Sequence, residues 1–261
     1  MESPRDALPL ERKFKALLDR RRANATLRNL TLAAQHVDFS SNDFLSLAGN
    51  PAFKDAFLQE LDTGAAWPIG SGGSRLLDGN SSYAEDLERE IAAFHGAQTG
   101  LLFNSGFDAN AGFFACVPQK GDVIVYDELI HASVHDGMRL SRASKLVPFR
   151  HNCVEDLRGV LAGLMSCGTV GEGIQAGTRH VFVAVEAVYS MDGDLAPLTP
   201  IVHAVEDVLP TGTGYVVVDE AHATGVVGPQ GRGLVCALGL ERRVFARLHT
   251  FGKALACNGG E

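Results

Sequence analysis

The chain lacks any apolar run near the ~18 residues that a membrane-spanning helix needs, so no such span is expected. It also lacks the apolar core of a secretory signal, because MESPRDALPLER mixes charge and proline with its leucines. Cysteine is sparse and unpatterned. Cys116, Cys153, Cys167, Cys236 and Cys257 are odd in number and include no C-x-x-C pair, which predicts free thiols in a reducing, cytoplasmic compartment. Positive charge is in deficit, with 23 Lys and Arg against 31 Asp and Glu and a net charge of -8. That balance argues against nucleic acid or an anionic membrane as the main partner. The one basic concentration, Arg12, Lys13, Lys15, Arg20, Arg21 and Arg22, is interleaved with Glu11 and Asp19. It reads as a solvated helix face rather than a transit peptide, which would be poor in acids.

What is present is the composition of a globular protein, 46% hydrophobic and 21% charged over 261 residues, enough for one or two domains. Leu10, Phe14, Leu17, Leu18 and Arg28 fall at near-helical spacing and predict an amphipathic helix over residues 9–28. The turn-rich SSNDFLSLAGN predicts a loop over 40–50, so residues 1–50 form a first segment and 51–261 a larger domain. A glycine-rich stretch, IGSGGSRLLDGN, fills 69–80. Ser82 with Glu85 predicts a capping box, and Leu87, Ile91 and Phe94 share one face of the helix that follows.

Beyond it, short apolar runs at 99–103, 123–126, 181–185, 215–218 and 244–248 predict buried strands. Helices are expected between them, at about 107–117, 133–142, 154–165 and 198–208, and SCGTVGEGIQAGT (166–178) predicts a flexible surface loop. The alternation predicts an α/β three-layer sandwich with a mostly parallel sheet covered on both faces. Such sheets bind ligands beyond the carboxyl ends of their strands.

The polar residues collect there. YVVVDEAH ends an apolar run on Asp219, with Glu220 and His222 behind it. Asp219-Glu220-Ala221-His222 also spells a helicase box, but that chemistry needs an upstream G-x-x-x-x-G-K-[ST] loop, and the only Gly-Lys pair, Gly252-Lys253, lies downstream. A carboxylate at a strand end can instead keep a pyridinium nitrogen protonated, as a pyridoxal ring requires, with His222 near the ring hydroxyl. Lys253 sits among Gly252, Ala254, Leu255 and Ala256, a setting that desolvates its ammonium and favours the neutral, imine-forming amine. In LLFNSGFDAN a strand runs into Ser105-Gly106-Phe107 and then a helix, whose first amides and the Ser105 hydroxyl suit a phosphate. His131 follows the strand at 123–126 and can stack on a ring, or simply serve a turn. Glu186, Ser190 and Asp192 follow the strand at 181–185.

Together the motifs SSNDFLSLA, GSGGSRLLDGN, LFNSGFDANAG, DELIHAS, RHN, VYSMDGDLAPL, VDEAHATGVVGPQGRG and HTFGK resemble the α-oxoamine synthases, a family of fold-type-I pyridoxal phosphate (PLP) enzymes. The resemblance runs from about residue 16 to the end, and the form of GSGGSRLLDGN is most similar to the biotin-pathway branch. It implies Lys253 as the Schiff-base lysine, Asp219 at the ring nitrogen, His222 and Ser190 at the ring hydroxyl, and His131 stacked on the ring. It further implies Gly106, Phe107 and Thr250 at the phosphate, Arg28 near the substrate carboxylate, and no metal.

The activity implied is a decarboxylating condensation of an amino acid with an acyl-CoA, L-alanine and pimeloyl-CoA in that branch, by a homodimer. The chain departs from the family in FLS for Y-L-G in the early loop and in a longer 166–178 segment. It also stops shortly after the lysine, so the large PLP-binding domain is expected without its C-terminal small domain. Aminotransfer, an oxoamine synthesis of secondary metabolism, or an inactive truncated copy are the alternatives.

Overall fold

The computed structural model of the chain describes residues 8–30, 37–62 and 70–261. Ile69, which opens the glycine-rich stretch, lies outside them. The chain divides into two compact units, Met1–Ser40 and Ser41–Glu261.

In the first unit, helix α1 (Pro9–Ala23) begins on Pro9, whose missing N–H is no loss in a first turn, with Glu11 accepting from the Leu8 amide at 2.8 Å. Arg20, Arg21 and Arg22 place positive charge at its carbonyl end. The helix stops short of the expected residue 28 because Ala25 takes a left-handed φ of 54° and Thr26 turns its amide back to the Arg21 carbonyl.

The second unit is built on a five-stranded parallel sheet in the order β2-β1-β3-β4-β5: β1 (Val123–Asp127), β2 (Lys145–Phe149), β3 (Val181–Glu186), β4 (Gly214–Asp219) and β5 (Ala246–Leu248). Strand alternation splits the core into two layers. Ile124, Phe182, Ala184, Val217 and Leu248 pack with Ala109 and Phe114 of α4 (Gly106–Cys116) and with Val134 and Met138 of α5 (Ala132–Leu140). On the other face Val123, Val125, Val181, Val183, Val185, Val216 and Val218 meet α6 (Val154–Met165) and α8 (Leu198–Val208), through Leu157, Leu161, Ile201 and Val205. Helix–sheet–helix is therefore the architecture. Each such buried side chain contributes about 1.5–3 kcal/mol. The strand order reverses between β1 and β3, the crevice where open sheets of this kind hold ligands.

Several elements differ from expectation. Residues 99–103 form no full strand; Phe103 and Ser105 make isolated bridges to Gly260 and Gly259, and Leu101 is exposed. The run at 244–248 shortens to β5. The loop expected at 166–178 contains helix α7 (Gly168–Gln175), whose glycines serve packing: a Cβ on Gly171 would lie 2.0 Å from the Met165 carbonyl oxygen, and Ile174 is fully buried. The helix α3 (Ser82–His95) is capped by Ser81 rather than Ser82, with the Ser81 hydroxyl accepting from the Ala84 amide. Its buried face is Glu88, Ala92 and His95, not Leu87, Ile91 and Phe94, because Glu88 receives Arg75 and the Leu102 amide. Two further elements escape the apolar pattern. Helix α2 (Pro51–Leu61) carries no buried residue and is announced only by Asn50, which caps it, and Pro51. Edge strand β2 contains Pro148, which a strand tolerates only where it need not donate.

Candidate functional site

The ends of β3 and β4 build the centre of the site. Asp219 is buried, and both its oxygens are used: Oδ2 accepts from Asn110 Nδ2 at 2.6 Å and Oδ1 from the Ala221 amide at 2.8 Å. Asn110 stands one turn into α4, so the helix whose start suits an anion also orients the carboxylate. Sequence reasoning missed Asn110. The signal lay in its four-residue spacing from Gly106, which puts both on one helix face.

Glu186 ends β3 in register with Asp219. Burial, then the Asp219 charge beside it, pushes its carboxyl up to about 8, against the pull of Lys253 and the His131 amide. It is therefore protonated at neutral pH.

The neighbouring Glu220 points away to another duty. It is fully buried and accepts from the Leu234 and Val235 amides, each at 2.8 Å, at the start of the short helix α9 (Leu234–Ala237). Gly233 can only be glycine there, since its φ is 96° and a Cβ would stand 1.9 Å from Glu220 Oε2. Burial raises the Glu220 carboxyl to about 7. His222, two residues on, lies with its ring 6.2 Å from that of Phe44, and burial followed by the Lys253 charge lowers it to about 4. It is a neutral imidazole.

Lys253 follows β5 in a tight turn closed by the Ala256 amide on the Lys253 carbonyl and the Cys257 amide on the Phe251 carbonyl, both at 2.9 Å. Its ammonium is held below the ordinary lysine value by burial, while Asp219 and Glu186 act in the opposite sense. Burial thus weakens the charged form of an amine that lies within the field of two carboxyl groups.

The anion cradle is formed where α4 begins. Ser105 caps the helix, its Oγ accepting from the Asp108 amide at 3.0 Å and donating to Asp108 Oδ2 at 2.9 Å. Thr250 comes so close that a Cβ on Gly106 would lie 1.8 Å from its Oγ1. Residues 259–261 tie the two together, exchanging backbone hydrogen bonds with Phe103 on one side and with His249 and Phe251 on the other. A helix N-terminus with a threonine hydroxyl beside it is a phosphate-binding arrangement.

His131 caps α5, with Nδ1 accepting from the Ser133 amide at 3.2 Å and lying 2.7 Å from Ser133 Oγ. Phe107 meets its ring edge-on at 6.2 Å. Burial lowers its pKa, opposed by Asp219 and assisted by Lys253. His131, Glu186, Asp219, His222 and Lys253 thus act on one another electrostatically. Ser190 is exposed on the loop after β3, and Arg28 belongs to the first unit.

The donor set fits pyridoxal phosphate. The buried Asp219 carboxylate suits a protonated ring nitrogen, the Gly106–Thr250 cradle suits a phosphate, and Lys253 suits an aldehyde. Beside Asp219, the buried Asn110 Oδ1 lacks a hydrogen-bond partner among the described residues.

A family profile described as aminotransferase class I and II matches residues 34–260. The chain is 56% identical, over 96% of its length, to 8-amino-7-oxononanoate synthase from Emericella nidulans, and covers 60% of that protein. It is 43% identical, over 98% of its length, to aminoacyl transferase sphA from Byssochlamys spectabilis, covering 54% of it. Among solved structures, serine palmitoyltransferase from S. paucimobilis with a bound PLP adduct superposes with a TM-score of 0.76 at 28% identity, over 98% of this chain and 63% of that one. The 8-amino-7-oxononanoate synthase of Francisella tularensis gives 0.61 at 26%, over 87% and 57%. The chain therefore spans somewhat under two thirds of the relatives it matches.

Proposed function

The chain belongs to the aminotransferase class I and II family, and from that premise we propose that it is the PLP-binding part of a C-acyltransferase. The reaction joins an amino acid to an acyl-CoA and yields an α-oxoamine, free CoA and carbon dioxide. The observation that carries the reading is Lys253, an amine whose charged form is destabilised by burial and which is flanked by Asp219 and Glu186. Identity of 56% to an 8-amino-7-oxononanoate synthase, against 43% to an aminoacyl transferase, favours L-alanine and a pimeloyl thioester.

When bound, PLP supplies an aldehyde for covalent attachment and a protonated ring that draws electrons from the substrate Cα. Lys253 would provide the attaching amine and would serve as general base toward the substrate Cα proton. Asp219, fixed by Asn110 and the Ala221 amide, keeps the proton on the ring nitrogen. The neutral His131 ring covers one face. Thr250, Ser105 and the first amides of α4, Gly106 and Phe107, hold the phosphate. Glu186, protonated below about 8, adds no second negative charge beside Asp219. His222 and Ser190 serve the ring hydroxyl, and Arg28 serves the substrate carboxylate. The assembly is a homodimer, placed in the cytoplasm; no helix among the described residues is long and apolar enough to cross a membrane.

The test is a titration of the purified chain with PLP. A visible absorption band that disappears in Lys253→Ala supports the assignment, and a folded chain without the band overturns it. With labelled alanine and pimeloyl-CoA, release of carbon dioxide marks condensation, and formation of pyruvate marks aminotransfer instead.

A further inference from the structure

A second polar cluster stands at the other face of the sheet, and the proposed reaction leaves it unused. Asp219 and Glu186 continue the Val217 and Ala184 side, toward α4. Asp127 continues the Val123 and Val125 side, toward α6.

Fully buried, Asp127 accepts from the Leu129 amide at 2.9 Å through Oδ1 and from the Asn152 amide at 2.8 Å through Oδ2, and Oδ1 also lies 2.9 Å from His151 Nδ1. The other ring nitrogen, His151 Nε2, lies 2.8 Å from Asp194 Oδ2, which also accepts from Asn152 Nδ2 at 2.6 Å. Tyr189 meets the His151 ring edge-on at 4.5 Å, and its hydroxyl accepts from the Glu186 amide at 3.2 Å. Asn152 adopts a φ of 51° to make these contacts.

Both ends of this chain of bonds lead to the site. Asp194 closes the loop that contains Ser190: the Tyr189 amide donates to the Asp194 carbonyl at 3.0 Å, the Gly193 amide to the Tyr189 carbonyl at 2.8 Å, and Val188 bridges Leu195. Asp127 closes the turn that delivers His131, through Leu129 and through the Ile130 amide on its own carbonyl at 3.0 Å.

We propose that His151 is a positioning residue which, doubly protonated between Asp127 and Asp194, clamps the Ser190 loop to the His131 turn and so holds both beside the PLP site. The effect on PLP rests on the function proposed above, whereas the clamp itself does not. The logic is one of proton count. Each ring nitrogen faces a carboxylate oxygen, so both contacts are hydrogen bonds only when both nitrogens carry protons. Burial opposes that charge, but the bonds to Asp127 and Asp194 outweigh it and raise the imidazole above its ordinary value.

At Nε2 a further donor stands by, since Asn152 Nδ2 lies 3.2 Å from it, and the charged and titratable groups around the ring are otherwise engaged. Glu128 accepts the His151 amide at 3.0 Å, Arg150 is paired with Asp156, Cys153 pairs with Glu155 at the start of α6, and burial drives the Tyr189 hydroxyl upward. Loss of the Nε2 proton removes its bond to Asp194 and lets Asn152 Nδ2 turn from Asp194 to the ring nitrogen, which opens that side of the clamp.

The experiment uses the full chain, with histidine 15N spectra and amide exchange at Tyr189 and Gly193, corrected for intrinsic rates. At about pH 6 both His151 nitrogens should be protonated and both amides protected, and at about pH 9 protection should fall ~10-fold. In His151→Gln protection should be low at both values and no longer depend on pH, and PLP affinity should fall about tenfold and lose the same pH dependence. A single protonated nitrogen at the lower pH, or unchanged protection in the folded variant, overturns the proposal. If that variant does not fold, Asp194→Ala, on the exposed loop, gives the same reading. Should the unaltered chain bind no PLP, the reaction assignment fails and amide protection alone decides the clamp.

Discussion

Glu186 and Asp219 end adjacent parallel strands in register and face the same layer of helices. With strand spacing of about 4.8 Å between them, two ionised carboxylates would repel strongly. Their partners decide which one keeps a proton. Asp219 has the Asn110 amide and the Ala221 N–H, whereas Glu186 has a single amide, and burial with the Asp219 charge beside it raises its carboxyl to about 8. One strand end thus presents an acceptor and its neighbour a neutral acid.

Removing Lys253 should move Glu186 rather than leave it alone. The lysine charge lowers the Glu186 pKa, so in Lys253→Ala the carboxyl should titrate above about 8. Infrared or carbon NMR titration of the carboxyl groups checks this, and a downward shift refutes the coupling.

Stability should fall as pH rises from about 6.5 to about 8. Glu186, raised to about 8, and Glu220 and Glu261, each raised to about 7, bind protons more tightly when folded. Their stabilisation is complete below the unfolded glutamate value and is lost as pH rises through these folded values. His95 and His222, lowered to about 4, act oppositely, their contribution being present above the ordinary histidine value and lost as pH falls toward 4. Urea unfolding across the range measures the net slope, and Glu220→Gln should flatten the part below about 7.

Asn110→Ala should weaken PLP binding by about tenfold or more, the scale of a lost hydrogen bond to a charged group. A spectroscopic PLP titration reads the change. Affinity equal to that of the unaltered chain would mean that Asn110 does not support Asp219.

Gly106→Ala should destabilise the fold by about 1–3 kcal/mol, as expected when a methyl group is forced into filled space. The new Cβ would sit 1.8 Å from Thr250 Oγ1 and 2.9 Å from its Cβ. Thr250→Ala in the same chain should restore part of the loss, measured by denaturant midpoint.

The layered sheet was legible because fully apolar runs such as VVV in β4 occur only where both faces are covered. The candidate site could be sought in the sequence because Asp219, His131 and Lys253 each end or follow a strand, and the structure brings them within one electrostatic cluster. Local composition misled where glycine was read as mobility: in helix α7, Gly171 and Gly173 sit where a Cβ would strike the Met165 carbonyl and the Arg179 side chain. Apolar spacing also misread α3, whose inner face is held by a buried Glu88 with Arg75, a partnership between residues that no helical period relates. Asn110 offered only its spacing from Gly106, and what it and the His151 cluster bond to was illegible for the same reason. Their partners lie 109, 24 and 43 residues away, and only the topology brings them together.

The pairing of residues 259–261 with both the α4 entrance and the lysine turn also sets an order of assembly. Ser105, Gly106 and Asn110 leave the ribosome long before Lys253, yet the backbone pairing that ties the α4 entrance to the Thr250 turn forms only once residues 259–261 have been made. Domains fold as units during synthesis, and contacts of large sequence separation form late. The two walls of the anion cradle are therefore tied together late in synthesis, after every strand of the sheet has been made.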